Sequence, residues 1–209
     1  MPTMTVVLLL VSTPVMTVAD ASQVPDLAAF VTLTSLVDPA LEVDATATSA
    51  PTAGRYTAGT WEVPVYGSAT IGSDPGEIYL AHAGVSYYFR DQISVSLEAV
   101  GGTTIGDNTG TATGLDVLWR WHFLQHGRWS LFAEGGAGFL YTSRSFKSKA
   151  THFNFSPQVG AGARLQISDT LDLMGGVRWH HISNADIDGR PRNIGFDGPM
   201  LYGGAVIAF

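Results

Sequence analysis

The amino-acid sequence predicts an all-β protein, an eight-stranded antiparallel β-barrel that crosses the bacterial outer membrane. Three observations favour this fold. The chain is 45% hydrophobic and only 14% charged, whereas soluble domains carry about 25% charged residues. Beyond the N-terminus, no run of about 18 apolar residues is available for a membrane helix. From Trp61 onward, segments of about ten residues alternate in polarity, which is typical of strands that place one face in lipid and the other in a lumen.

The composition also limits the classes of function. Cysteine is absent, which removes disulfide frameworks and thiol chemistry. The formal net charge of −7 argues against nucleic acid as a partner.

The N-terminal quarter is predicted to lie outside the barrel. Residues 1–21 combine an apolar stretch with the small-x-small site Ala19-Asp20-Ala21, which is typical of a secretory signal peptide. No Lys or Arg precedes Arg55, so either the start codon is misplaced or the protein is not secreted. Residues 22–58 show no sustained period and are interpreted as a low-complexity linker or extension. The barrel is assigned to residues 59–209.

Eight segments of period two are predicted to form the strands. The fourth is the clearest, because Leu115, Val117 and Trp119 lie on one face while Asp116 and Arg120 lie on the other. In chain order the predicted strands are 61–71, 77–89, 93–99, 115–123, 129–141, 153–166, 171–183 and 198–209.

The polar face of these strands is expected to fill the interior. The smallest membrane barrels are packed with side chains, and buried charges need partners of opposite sign. The predicted interior network is Glu62, Glu98, Asp116, Arg120, Glu134, Arg164 and Arg178. A soluble lipocalin-like barrel would reverse the pattern. Against it stand the terminal Phe209 and aromatic residues near strand ends on the apolar face, as in interfacial girdles: Trp61, Trp119, Trp121, Trp129 and Tyr141.

The connections between strands set the orientation. Short turns follow the second, fourth and sixth strands, whereas longer loops follow the third, fifth and seventh. Only the short first loop, Gly72–Gly76, departs from this rule. Short turns face the periplasm in such barrels. The seventh strand therefore runs outward and ends in the outer leaflet.

A candidate catalytic site lies at that outer end. His181 and Ser183 share the lipid-facing side of the seventh strand, at positions i and i+2. Counting back in twos from Phe209 puts Asp197 on the same side of the neighbouring strand. Serine, histidine and a carboxylate are the parts of an acyl-transfer site. Polar groups facing lipid usually mark function, although a serine and a histidine also occur as ordinary interfacial residues. His180 is predicted to face the interior.

At these residues the sequence resembles the PagL-like lipid A deacylase (acyloxyacyl hydrolase) family. The characteristic stretch is His-x-Ser-Asn, here His181-Ile-Ser-Asn184, followed about a dozen residues later by an acidic residue, here Asp197. Segments at 118–123, 129–132 and 151–158 also look like those of family members. The resemblance covers residues 61–209.

The resemblance implies an outer-membrane hydrolase that removes an acyl ester from lipid A, typically the 3-position hydroxyacyl chain. It implies Ser183 as nucleophile, His181 as base, Asp197 as the orienting acid and Asn184 as part of the oxyanion hole. The best-known members carry Glu at the acidic position, where this chain has the shorter Asp. Asp186 and Asp188 are alternative acids. No cofactor and no metal are implied, and the partners are lipopolysaccharide and outer-membrane lipids.

Other functions stay open from the sequence. One is a non-catalytic small barrel for adhesion or envelope integrity, and another is a palmitoyltransferase-like barrel enzyme. Basic residues of the outer loops would attract lipid A phosphates or would simply be solvated: Arg144, Lys147, Lys149, Arg190 and Arg192. Whether the barrel forms a homodimer is also open.

Overall fold

The structure, a computed structural model, describes residues 54–70, 76–105, 108–145, 150–193 and 195–209. The predicted signal peptide and most of the predicted extension lie outside the described residues, as does nearly all of the first loop. Within the described residues, no helix has the length and apolar character needed to cross a membrane.

The described chain forms one closed antiparallel barrel. Its strands are β1 (Trp61–Thr70), β2 (Glu77–Arg90), β3 (Ile93–Ile105), β4 (Gly110–His126), β5 (Trp129–Thr142), β6 (Phe153–Phe155), β7 (Gln158–Gln166), β8 (Leu171–Ile182) and β9 (Phe196–Ala208). Successive strands pair along the chain except β6 and β7, which both pair with β5, and the pairing of β1 with β9 closes the barrel. Because β6 and β7 pair one after the other with β5, nine segments occupy eight positions. The predicted eight-stranded barrel is confirmed.

The sixth predicted strand is divided at Ser156-Pro157. Proline has no backbone N–H, so it cannot donate the ladder hydrogen bond at that position. The alternation of faces nevertheless continues through the division, since Ser156 and Gln158 are buried and Phe155 is exposed. The two segments therefore act as a single wall element beside β8.

The predicted assignment of faces is also confirmed. The aromatic side chains predicted to form girdles are all outward and about half exposed, as Trp119 at 46% and Tyr141 at 51% illustrate. The seven charged residues predicted for the interior are all buried. Period two in the sequence thus corresponds to a lipid-facing side and a lumenal side.

The interior charges are paired with one another. Glu134 accepts hydrogen bonds from Arg178 Nε at 2.6 Å and from Arg120 Nη2 at 2.9 Å. Arg164 donates to Glu62 Oε1 at 2.9 Å and pairs with Asp172 at the same distance. Asp172 was not among the residues predicted for this network. One carboxylate, that of Glu134, thus neutralises two buried arginines.

Replacing Glu134 with glutamine is expected to lower the free energy of unfolding by about 3 kcal/mol, because two buried guanidinium groups lose their counter-ion. Urea titration of the refolded barrel in detergent measures this change. The matched control is Glu77→Gln, the same chemical change at an exposed carboxylate, for which the expected effect is within about 0.5 kcal/mol. Equal stabilities of the two variants would contradict the shared role of Glu134.

The interior near the outer end contains an apolar cluster, which the sequence analysis did not predict. A cluster of buried side chains packs across the lumen there: Ile78, Leu80, Val100, Ala112, Leu140, Ile182, Phe196 and Met200. These residues occupy lumenal positions on strands that carry polar residues further down. Apolar packing in place of a water-filled lumen keeps the strand ends in fixed positions. Ile182 and Phe196 belong both to this layer and to the strand ends that carry the candidate site.

Residues 54–60 contact the periplasmic end of the barrel. Arg55 forms an ion pair with buried Asp172. The ring of Tyr56 stacks on His122 with a centroid distance of 4.1 Å, and its hydroxyl lies 3.0 Å from Ser130 Oγ. These contacts tie the last residues of the predicted extension to the barrel interior.

Candidate active site

The candidate site lies where β8 and β9 meet at their outer ends. His181 pairs with Asp197 across the two strands, and Ile182 pairs with Phe196. The strand β9 begins at Phe196, two residues before the predicted start, because its ladder with β8 continues that far. Asp197 is therefore held by regular pairing directly beside His181.

The structure brings the three predicted catalytic side chains into one hydrogen-bonded chain. His181 Nδ1 lies 2.6 Å from Asp197 Oδ1, and His181 Nε2 lies 2.9 Å from Ser183 Oγ. A carboxylate only accepts hydrogen bonds, so Nδ1–H donates to Asp197 and Nε2 accepts from the Ser183 hydroxyl. The side chains of His181 and Asp197 are 40% and 57% exposed on the outer wall. This arrangement can activate a serine for attack on a carbonyl.

Two neighbouring residues flank Ser183 on the outer wall. On one side, Phe155 N–H donates to Ser183 O at 2.7 Å and Ser183 N–H donates to Phe155 O at 3.0 Å. On the other side lies Gly195, where an added Cβ would stand 2.3 Å from Ile182 O. No side chain fits at that position, because the backbone of Gly195 approaches that of Ile182 too closely. Sequence reasoning missed both residues because only the strand register brings them to Ser183.

Phe155 belongs to an aromatic cluster on the outer wall. Phe153 packs edge-on against Phe155 with a centroid distance of 5.4 Å and stacks on Phe139 at 5.9 Å. Tyr141 stacks on His152 at 5.9 Å. The cluster forms an apolar surface that begins directly beside Ser183.

The side chain of Asn184 is buried and turned into the loop that follows Ser183. Its Nδ2 donates to Arg192 O at 3.3 Å, and its Oδ1 accepts from Asp186 N–H at 3.0 Å. The backbone N–H of Asn184 donates to Asn193 Oδ1 at 2.9 Å. The structure thus shows Asn184 next to the nucleophile with its donors occupied by the loop, and its oxyanion role stays a prediction.

The other candidate acids and bases lie apart from the triad. Asp186 accepts a hydrogen bond from Asn193 Nδ2 at 2.7 Å, and Asp188 is exposed in the same loop. His180 faces the interior as predicted, but its ring nitrogens make no hydrogen bond with the described part of the chain. Among the described residues, no cluster of His, Asp and Glu is arranged to hold a metal ion.

The structure describes three of the five basic residues considered as binding groups for lipid A phosphates. Arg144, Arg190 and Arg192 are exposed at the outer end, and Lys147 and Lys149 lie outside the described residues. Arg190 and Arg192 lie in a short 3-10 helix, Arg190–Arg192, in the loop between β8 and β9. Phosphate binding by these groups stays a prediction.

Comparisons with solved structures find bacterial outer-membrane barrels. The crystal structure of the outer membrane enzyme PagL matches with a TM-score of 0.54 and 18% identity, covering 68% of this chain and 97% of that chain. The N-terminal β-barrel domain of Pseudomonas aeruginosa OprF matches with a TM-score of 0.49 and 15% identity, covering 73% of this chain and 98% of that domain. At these identities the likeness concerns the fold. The homodimer that the sequence left open gains no support from the comparisons.

A comparison with curated proteins finds none that matches. A family model, described as lipid A 3-O-deacylase (PagL), matches residues 79–204, which is more than half of the chain and includes the whole candidate site. Together with the closed barrel and its lipid-facing aromatic residues, this match also assigns the protein to the bacterial outer membrane. The chain belongs to the lipid A 3-O-deacylase (PagL) family.

Proposed function

We propose that this protein hydrolyses the 3-position hydroxyacyl ester of lipid A with a Ser183-His181-Asp197 triad. The observation that carries the proposal is the hydrogen-bonded chain from Asp197 Oδ1 through the imidazole to Ser183 Oγ. It lies on the outer wall of a barrel whose family acts on this substrate. A triad that faces lipid can reach an ester that stays in the membrane.

The reaction follows from the direction of the two hydrogen bonds. His181 Nε2 takes the proton of Ser183 Oγ as that oxygen attacks the ester carbonyl, and Asp197 stabilises the imidazolium. The tetrahedral intermediate collapses to an acyl-serine, and the imidazolium returns its proton to the leaving sugar hydroxyl. Water, deprotonated by His181, then attacks the acyl-serine and releases the hydroxy fatty acid. The balance is one ester and one water to one alcohol and one acid.

Stabilisation of the oxyanion is proposed for Asn184. Its Nδ2–H bond to Arg192 O is long, at 3.3 Å. The negatively charged oxygen of the tetrahedral intermediate would be a stronger acceptor for this donor than that carbonyl is. The role requires the amide to leave Arg192 O and turn toward Ser183 when the substrate binds. Backbone N–H groups of the following turn would complete the hole.

The aromatic cluster next to Ser183 offers a surface for the acyl chain that is removed. Phe155 is paired through its backbone with Ser183 and is 38% exposed. A chain whose carbonyl lies at Ser183 Oγ and whose tail follows the outer wall passes over this ring. The ring then orients the ester through dispersion contacts with the acyl chain. Mobile lipid tails do not hold the chain in one position in this way.

Replacing Phe155 with alanine is expected to lower kcat/KM for lipid A about fivefold, on the scale of one aromatic contact. The control is Phe123→Ala, which removes an exposed ring from β4, away from the site, and should leave kcat/KM unchanged. Initial rates of fatty-acid release over a range of substrate concentrations measure both. A loss of the same size in both variants would assign the effect to the bilayer and not to the acyl chain.

The proposed function is tested with purified protein and lipopolysaccharide in detergent. Mass spectrometry of the lipid A is expected to show the loss of one hydroxyacyl chain, with the free 3-hydroxy fatty acid in the supernatant. A gain of acyl mass would indicate the palmitoyltransferase reaction instead. Unchanged lipid A under conditions in which the barrel is folded would favour the non-catalytic barrel.

A further inference from the structure

Residues 54–60 form a short segment that covers the periplasmic end of the lumen, and we call this segment the plug. It precedes β1, and the family match begins only at residue 79. The backbone of the plug is fixed by hydrogen bonds to the end of β2 and to the turn that follows it. Gly59 N–H donates to Tyr88 O at 2.7 Å, and Gln92 N–H donates to Tyr56 O at 2.6 Å. The plug is therefore anchored to the barrel through its backbone.

The side chain of Tyr56 covers polar groups of the lumen. Its ring stacks on His122 with a centroid distance of 4.1 Å, and its hydroxyl lies 3.0 Å from Ser130 Oγ. The guanidinium carbon of Arg164 lies 5.3 Å from the centroid of the same ring, within the range of a cation–π contact. His122, Ser130 and Arg164 are all buried. Loss of this ring would open these three groups to water from the periplasmic side.

The charges beneath the plug balance only when Arg55 is counted. Two buried carboxylates, those of Glu62 and Asp172, pair with the same strand residue, Arg164. Among the described residues, the second cation of this group is Arg55, whose Nε donates to Asp172 Oδ2 at 2.9 Å. Two carboxylates then face two guanidinium groups. Without Arg55 one buried carboxylate would lack a counter-ion, which is costly in a protein interior.

The guanidinium group of Arg55 also holds the turn between β7 and β8. Its Nη1 donates to Ser168 O and to Asp169 O, each at 3.0 Å. The planar fork of an arginine can serve a carboxylate and carbonyl groups at once. The Arg55 side chain is only 7% exposed in this position. One residue of the plug thus joins the interior charges to the turn at the rim of the barrel.

We infer that the plug is a built-in closure of the lumen that supplies the counter-ion of buried Asp172 and stabilises the barrel from its periplasmic end. The outer end of the lumen is packed by the apolar cluster, so the two ends are closed by different means. The inference is independent of the proposed hydrolysis. Asp172 is the second residue of β8, whereas Ser183 follows the last residue of that strand.

A pair of charge-neutralising substitutions tests the role of the counter-ion. Arg55→Gln removes the cation of the plug without altering the barrel wall, and the urea midpoint of the barrel in detergent is expected to fall by about 1 M. The double variant Arg55→Gln with Asp172→Asn leaves one carboxylate and one guanidinium group, so the group is neutral again. It should recover roughly half or more of the loss.

The matched control is Arg90→Gln, the same change at an exposed arginine at the end of β2, which should leave the midpoint unchanged. A wild-type midpoint for Arg55→Gln, or a double variant no more stable than the single one, would overturn the inference. Arg55→Gln should also release fatty acid from lipid A at the wild-type rate when folded. Failure of the proposed function would therefore leave the stability result intact.

Digestion with trypsin measures the docking of the plug directly. No Lys or Arg precedes Arg55, so cleavage after this residue creates a new N-terminus at Tyr56 that mass spectrometry identifies. The folded wild type should resist cleavage at this bond, because the Arg55 side chain is buried. In Asp172→Asn the amide cannot neutralise Arg55, and cleavage there should be at least about tenfold faster, since proteolysis follows the population of the undocked segment.

The control for digestion is Glu62→Gln, which removes the other carboxylate on Arg164 and leaves the partner of Arg55 in place. Cleavage after Arg55 should then stay at the wild-type rate. If Asp172→Asn does not fold, Tyr56→Ala carries the same expectation, since it lies outside the strands and removes the stack on His122. Rapid cleavage of the folded wild type, or equal rates in the carboxylate variants, would contradict the inference.

Discussion

Replacing Ser183 with alanine is expected to reduce the rate of lipid A deacylation by at least ~10³-fold, the largest effect predicted for this protein. The reason is that the acyl-serine cannot form, and the remaining groups provide only binding and polarisation of the carbonyl. Because Ser183 lies on the outer wall at a strand end, the substitution leaves the lumenal packing intact. Fatty-acid release measured by mass spectrometry over several hours gives the residual rate.

The matched control for this prediction is Ser168→Ala, the same change in the turn between β7 and β8 at the periplasmic end. Its side chain caps backbone N–H groups of that turn and is far from the triad along the strands. The control should deacylate lipid A at the wild-type rate. Undiminished activity of Ser183→Ala would remove the serine mechanism, whatever else the barrel does.

Replacing Asp197 with asparagine is expected to lower kcat by about 10³-fold, the second largest effect. An amide at this position donates to Nδ1, which forces the proton to Nε2, and the imidazole can then no longer accept the proton of Ser183. KM should change little, since Asp197 does not contact the ester. Steady-state kinetics of the purified variant separate the two constants.

The control for Asp197 uses an acid that the sequence left as an alternative. Asp188→Asn should retain wild-type activity, because Asp188 is exposed in the loop while the carboxylate on His181 Nδ1 is that of Asp197. If Asp188→Asn were the inactive variant and Asp197→Asn the active one, the loop would have to rearrange on binding substrate. Asp197 would then not be the catalytic acid of the triad.

The barrel was largely predictable from the sequence, because its signal is local. Each strand alternates between lipid and lumen, so the period of two appears in every segment without knowledge of its neighbours. The inward charges followed from the same parity. The apolar cluster near the outer end was not predicted, since the sequence analysis expected polar side chains on the inward face and only the packing brings Ile78 and Met200 into one buried cluster.

For the candidate site, the sequence by itself determined which face each residue occupies. His181 and Ser183 share a face because they are two residues apart, and Asp197 joins them by parity with Phe209. Parity does not determine distance, however. Only the register of β8 with β9 decided that Asp197 pairs with His181, since a shift of two residues would keep the face and break the contact.

The remaining neighbours of the nucleophile depended entirely on the tertiary structure. Phe155 of β6 and Gly195, which precedes β9, reach Ser183 from parts of the chain that are separate in sequence. Asn193 reaches Asn184 because the loop folds back through a turn with positive φ at Ala185 and Asp186. The sequence of that turn gives little indication of this conformation. Local periodicity thus determined the wall of this protein and the side on which its chemistry occurs. Strand register and loop closure, which are long-range properties, decided the distances on which that chemistry depends.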